Sequence, residues 1–290
     1  MDITLALGGG GARGAAHLGV LRVLEQHGFR IRAVAGTSVG SIIGAFYAFG
    51  YPPAEIESIF ASVDFSRLLY TWPLVDGPSL LGVRGMTDFL RTHLGNRDFD
   101  DLRLPCAAVA VDLNSGREII LQEGRVVEAI LGSIAIPGVF PPQEYNEYLL
   151  IDGGILDPVP VCAARALAPR LPVVAVNLSS PLGNPSTPPS LQIPGVTPLV
   201  DQLVARLNIT QALQVFAEAI DLGQSQITTL RLQIEKPEVL INPAVGGIGL
   251  LDNVDVHEVS KLGEIVTLEA LPALQRAVSW PARLRRSWRR

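Results

Sequence analysis

The chain has 290 residues, 48% of them hydrophobic, with 28 glycines, 22 prolines and a formal charge of −5. That length and apolar content suit one large or two small globular domains with a buried core, and exclude a disordered or low-complexity chain. Two cysteines, Cys106 and Cys162, sit in apolar surroundings and read as buried small hydrophobes. With histidines scattered at positions 17, 27, 93 and 257, they offer neither a disulfide framework nor a metal cluster. No basic segment followed by an apolar run and cleavage site opens the sequence, and no apolar run reaches about 18 residues, so a cytoplasmic enzyme without a transmembrane helix is the expectation.

In chain order, residues 3–7 form a short apolar run suited to a buried parallel strand. The run ends in Gly8-Gly9-Gly10-Gly11-Ala12-Arg13-Gly14, and residues 15–24 continue with helical apolar spacing. A strand over 32–36 and a helix over 39–49 follow, joined by Gly36-Thr37-Ser38-Val39-Gly40. A serine at the apex of so sharp a turn, flanked by glycines that carry no Cβ to obstruct it, is the pattern of a nucleophile. The adjoining helix N-terminus favours developing negative charge there.

The glycine run contains G-x-G-x-x-G, so a dinucleotide site is a rival. That site needs an acid about 20 residues on, at the end of the second strand. The second strand ends instead at Gly36 with no acid, which rejects the rival. Successive backbone N–H groups in a glycine run can also hold an oxyanion, which is what a serine nucleophile requires.

From 52 to 104 the pattern loosens. Helical pieces over 55–63 and 87–94 bracket the apolar stretches 68–75 and 80–81, readable as a lid, an apolar substrate rim or ordinary core packing. Residues 107–112 and 117–121 read as strands joined by Asn114-Ser115-Gly116. A helix over 126–133 leads through the turn-rich run 134–140 to a strand over 148–151. Asp152-Gly153-Gly154 follows directly. An aspartate at that strand edge is a site candidate or a turn-capping residue. Then come a helix ending at 167, a strand over 173–178, a proline-rich loop over 181–198, an amphipathic helix over 199–222, a strand over 239–242 and a helix over 256–274. Six arginines (276, 283, 285, 286, 289 and 290) and no acid occupy the last fifteen residues, with Trp280 and Trp288 among them, and the preceding 275 residues carry −11. This tail reads as a contact for an anionic membrane surface or as a solvated end; the acidic remainder argues against nucleic acid.

Three motifs thus stand in order: GGGARG at 9–14, GTSVG at 36–40 and DGG at 152–154. Together with stretches at 14–21, 135–140 and 246–250, they resemble the patatin-like phospholipase family over residues 3–275. The resemblance implies a three-layer α/β/α sandwich with a mainly parallel sheet as one catalytic domain (1–275), followed by the Arg/Trp-rich tail (276–290). It implies a Ser–Asp dyad of Ser38 and Asp152 and an oxyanion hole from Gly9, Gly10 and Gly11. Arg13, Gly14, Gly36, Gly40, Gly153 and Gly154 are supporting motif residues, Arg13 either fixing the loop or binding a phosphate. The implied activity is hydrolysis of lipid acyl esters, of phospholipase A or lysophospholipase type, without metal or organic cofactor. An acyltransferase, a thioesterase or a low-turnover regulatory protein would carry the same residues. Oligomeric state is not encoded in these motifs.

Histidine offers little alternative. His257, at a helix start, has no catalytic surroundings, and His17 reads as packed or capping. An ordinary aspartate, with pKa near ~3.9, is a poor base at neutral pH. Helix N-termini would lower Asp152 further, and apolar neighbours such as Ile151 would raise it.

Overall fold

The computed structural model describes residues 1–63, 83–179, 209–250 and 252–282, with side chains in the long helix that opens at 209 described from 219 onward. The apolar stretches 68–75 and 80–81, the proline-rich loop and residues 283–290 of the tail lie outside the described residues.

The strands are β1 (Asp2–Leu7), β2 (Arg30–Thr37), β3 (Cys106–Asp112), β4 (Arg117–Leu121), β5 (Gln143–Tyr145), β6 (Tyr148–Asp152), β7 (Val173–Val176) and β8 (Val239–Ile241). The helices are α1 (Ala16–Gln26), α2 (Val39–Phe49), α3 (Pro53–Ser62), α4 (Arg84–Leu94), α5 (Val126–Ser133), α6 (Val161–Leu167), α7 (Ile209–Glu235) and α8 (Val256–Val278). The described strands form one sheet in the order β5-β6-β3-β2-β1-β7-β8, with β4 also paired to β3. From β3 through β8 neighbouring strands run parallel, whereas β4, β5 and β6 are antiparallel additions.

Strand alternation divides the core into two unequal halves. Leu5, Leu7, Val34, Val174 and Val176 join Leu18 and Leu21 of α1 and Phe46 of α2 in the large apolar cluster. The intervening residues face the other way, where Ala6, Ala35, Ala107 and Ala175 meet Val161, Ala163 and Ala164 of α6. Register sets those four sheet alanines side by side across β3, β2, β1 and β7. With no bulk on that row, α6 can lie close to the sheet. The result is the three-layer sandwich.

β3 has three partners, and this arrangement builds the site. Ala108 and Val109 pair with both β2 and β4, while Ala110, Val111 and Asp112 pair with both β4 and β6. A strand has two edges, so β2 and β6 must share one of them. β2 runs parallel to β3 and stops with Thr37 opposite Val109; β6 runs antiparallel and stops with Asp152 opposite Ala110. The two strands therefore run head-on along one edge, and their ends meet.

Three expectations need correction. Cys106 is buried, but Cys162 is exposed: it sits in the first turn of α6 on the face turned away from the sheet. The helix expected to stop at 222 continues through Gly223 to Glu235, because side chains beyond residue 222 tie it to the sheet, as described below. The helix expected to end at 274 reaches Val278, with Pro272 tolerated on its exposed face.

Candidate active site

The turn after β2 places Ser38 at φ 53° and ψ −127°, in a conformation rare for a residue with a side chain. Close packing on both sides imposes it. A Cβ on Gly36 would stand 2.2 Å from the Gly40 carbonyl oxygen, and one on Gly40 would stand 2.1 Å from that of Leu7. The Ser38 N–H donates to Ser133 Oγ at 3.0 Å, and Ser133 Oγ donates to the Val109 carbonyl at 2.6 Å. Ser41 Oγ donates to the Ser38 carbonyl at 2.6 Å. Val39 opens α2 immediately behind Ser38, so the helix dipole's positive end lies at this serine.

Asp152 ends β6, its N–H donating to the Ala135 carbonyl at 2.9 Å. Its Oδ1 accepts the Gly154 N–H at 2.7 Å. Oδ2 is buried without a hydrogen-bond partner. Burial pushes the carboxyl up to about 6, against smaller lowering influences from the Ser38 hydroxyl and the Gly154 N–H. Of the two effects opposed in the sequence, desolvation wins. The Ser38 hydroxyl is near enough to act on this carboxyl, yet no hydrogen bond reaches the Oδ2 lone pairs. Such contacts commonly tighten only once substrate is bound.

The glycine loop leaves β1 beside the serine turn, since Leu7 and Gly36 are register partners. Its amides are not equivalent. Gly9 N–H donates to the Pro158 carbonyl at 2.9 Å, which removes it from the expected oxyanion hole. Gly10 and Gly11, whose N–H groups have no partner among the described residues, line the cleft. Gly11 has φ 55°, and a Cβ there would meet the Leu250 carbonyl oxygen at 2.0 Å. Behind the loop, His17 is fully buried and pushed down to about 4 by desolvation. It is therefore neutral, and its Nε2–H donates to the Gly8 carbonyl at 2.8 Å. It buttresses the loop and is not a base.

Arg13 is buried and committed to protein partners. Nε donates to the Ile248 carbonyl at 2.6 Å, while Nη1 and Nη2 fork onto Asp221 of α7 at 3.0 Å each. Of its two readings, loop support is the one this geometry matches. Gly14 packs under Val39. Gly153 crosses β3 so closely that a Cβ would stand 2.2 Å from the Val109 carbonyl oxygen. His257 pairs with Glu57 at 2.8 Å and is absent from the cleft lining.

The cleft joins Ser38, Asp152, Gly9, Gly10, Gly11 and Gly154 to Ile136, Ile220, Gln224 and Leu250. Sequence reasoning missed Ser133 and Gln224. Neither lies in a motif, and only the tertiary fold brings them to the site. Among the described residues no group of three or more potential metal ligands occurs.

The fold is that of the patatin-like phospholipases. The family model for patatin-like phospholipase matches residues 5–165, more than half the chain, and the chain belongs to that family. An uncharacterized NTE family protein of Mycobacterium tuberculosis is 35% identical over 184 residues, 63% of this chain and 51% of that protein. A second such protein from the same organism is 32% identical over 283 residues, 94% of this chain and 47% of its own. Lysophospholipase NTE1 of Mycosarcoma maydis is 34% identical over 187 residues, 62% of this chain and 10% of that protein. The chain thus spans about half the length, or less, of these relatives. The crystal structure of VipD from Legionella pneumophila shares the fold, with a TM-score of 0.57 at 13% identity over 94% of this chain and 66% of that one.

Proposed function

We propose that this chain is a serine hydrolase of lipid acyl esters, of phospholipase A or lysophospholipase type, acting through Ser38 and Asp152. The observation that carries the reading is the head-on meeting of β2 and β6, which brings Ser38 and the buried Asp152 carboxyl into one cleft with two loop amides that have no partner among the described residues. Ser38 Oγ attacks the ester carbonyl carbon and its proton passes to Asp152. The negative oxygen is held by the Gly10 and Gly11 N–H groups; a donor of this kind is worth roughly 2.7–4 kcal/mol. Collapse expels the alcohol, which takes the proton from Asp152. Water then gives its proton to Asp152 and attacks the acyl-serine, and Ser38 leaves with that proton. No step requires a cofactor. The lysophospholipase name of one relative supports a lipid substrate.

The test is labelling by a fluorophosphonate, with peptide mapping, across pH. The label is expected on the Ser38 peptide, absent in Ser38→Ala and slowed in Asp152→Ala. The wild-type rate should fall as pH drops through about 6, because Asp152 must be unprotonated to accept the proton. Folded wild type that takes no label at any pH would refute the reading. We read the Arg/Trp tail as a contact with anionic lipid surface, supported by Trp280, 74% exposed at the end of the described chain. Anionic vesicles added to the same assay should accelerate labelling of the full chain more than of one ending at residue 279, which keeps the last helix whole. No described helix is long and apolar enough to cross a membrane.

A further inference from the structure

The side chain of Gln224 is the polar group in the cleft that the mechanism leaves unused. It is half-buried, and its two donors and one acceptor have no hydrogen-bond partner among the described residues. It packs where Gly154 lacks a side chain: a Cβ on Gly154 would stand 2.6 Å from Gln224 Nε2 and 2.9 Å from Asp152 Oδ1. The carboxamide is therefore a neighbour of the proton-accepting carboxylate. Three residues earlier on the same helix, Asp221 is locked by its two-pronged contact with Arg13, so the turn carrying Gln224 is fixed before substrate arrives.

The reaction fixes which part of a substrate meets this group. The proton taken from Ser38 must be returned to the leaving oxygen, so that oxygen has to lie on the Asp152 side of the cleft. The carbonyl oxygen must lie at Gly10 and Gly11. Leu250, whose backbone carbonyl abuts Gly11, and Ile136 supply apolar wall to the rest of the cleft. An unpaired carboxamide beside Asp152 thus faces the alcohol half of the ester, not the acyl chain.

Resting on the proposed hydrolase reading, we propose that Gln224 is a specificity-determining residue that hydrogen-bonds the oxygens of a glycerol-type leaving group. A site furnished to hydrogen-bond a hydroxyl discriminates strongly against a substrate that lacks it, because the polar group is then left unpaired.

The experiment compares two esters of one acyl chain, a 1-monoacylglycerol and the phenyl ester, on wild type, Gln224→Leu and Gln224→Asn. The readout is the ratio of kcat/KM for the glyceryl ester to that for the phenyl ester. Gln224→Leu is expected to lower the ratio about tenfold, as for loss of one net hydrogen bond. Gln224→Asn keeps the amide but shortens its reach, and should fall between. A ratio unchanged in both variants, with wild type active, would overturn the role of Gln224 and leave the hydrolase reading standing. Wild type inactive on both esters would overturn both. Should the leucine variant fail to fold, the asparagine variant decides by the same ratio.

Discussion

Ser38 holds a backbone conformation that costs on the order of 1–3 kcal/mol wherever it is not over-determined by its surroundings. Gly36 and Gly40 permit it sterically, and Ser133 fixes it by hydrogen bonding. The Ser133 hydroxyl has one direction available: it accepts from Ser38 N–H and donates to Val109, the residue at which β2 ends its pairing with β3. Ser133→Ala would leave the Ser38 N–H buried without a partner, at a cost of about 1–3 kcal/mol. Part of that cost can be relieved if the turn relaxes, which would move Oγ away from Asp152. The expected result is a labelling rate for Ser38 about tenfold lower, with urea unfolding showing a loss within that range. Ser133→Cys, similar in size but a weaker hydrogen-bonding group, should fall between. A labelling rate equal to wild type in a destabilised Ser133→Ala would show that Ser133 serves stability alone.

Among the described elements, α7 connects several separate parts of the molecule. At Asp221 it grips the glycine loop through Arg13, at Ile220 and Gln224 it walls the cleft, and at Arg231 it reaches the sheet. Arg231 contacts Glu118 of β4 at 2.8 Å, Asp157 at 3.1 Å and Glu235 one turn away at 2.7 Å. The Asp157 segment in turn supports both the serine turn and the glycine loop: its carbonyl accepts Thr37 Oγ1 at 2.8 Å and the next carbonyl accepts Gly9 N–H. Above pH 8, where Asp157 is ionised, replacing Arg231 by Met would leave those carboxylates facing one another. Removing one partner of a buried pair costs about 3–5 kcal/mol, and the partial exposure of Arg231 puts the expected loss nearer 2 kcal/mol. The Asp157→Asn change made in the Arg231→Met background should recover part of this loss in urea unfolding; strict additivity of the two changes would mean that they do not interact.

These connections mark the limit of what the sequence made legible. The strand-turn-helix units around Gly8–Gly11 and Ser38 were readable because glycine spacing and apolar runs are local signals. Asp152 was readable as a strand-end acid. The end of α7 was not, because Gly223 is a plausible stop and the contacts that carry the helix onward lie up to 113 residues away in sequence. The hairpin of β5 and β6 turns at Asn146, with φ 52°, and the three residues of β5 carry no alternation to announce it. The pairing of Gly9 with Pro158 is likewise a long-range fact, invisible in a motif that treats its three glycines alike.

For the whole molecule, the buried acids set how stability follows pH. Asp157 is fully buried, and desolvation pushes it up to about 8 in the fold despite Arg231, which is shared among three carboxylates and cannot neutralise them all. An unfolded chain would hold this acid at its ordinary value near 3.8. The folded state therefore binds a proton that the unfolded state does not between those values, and the stabilisation is lost as pH rises through about 8. Asp152 adds a contribution of the same sign, lost as pH rises through about 6. His17 works oppositely: neutral in the fold with its value near 4, it contributes stability above about 6.5 that is lost as pH falls through about 4. From pH 8.5 down to 7.5 Asp152 and His17 hardly change their state in either the folded or the unfolded chain, so Asp157 governs that window. Unfolding free energy from urea titrations should accordingly increase as pH is lowered across it, with folding taking up about half a proton at its centre. Asp157→Asn, uncharged at every pH, should flatten the dependence. A slope retained in that variant would assign the proton to another group, and no slope in wild type would mean that Arg231 holds Asp157 ionised in the fold.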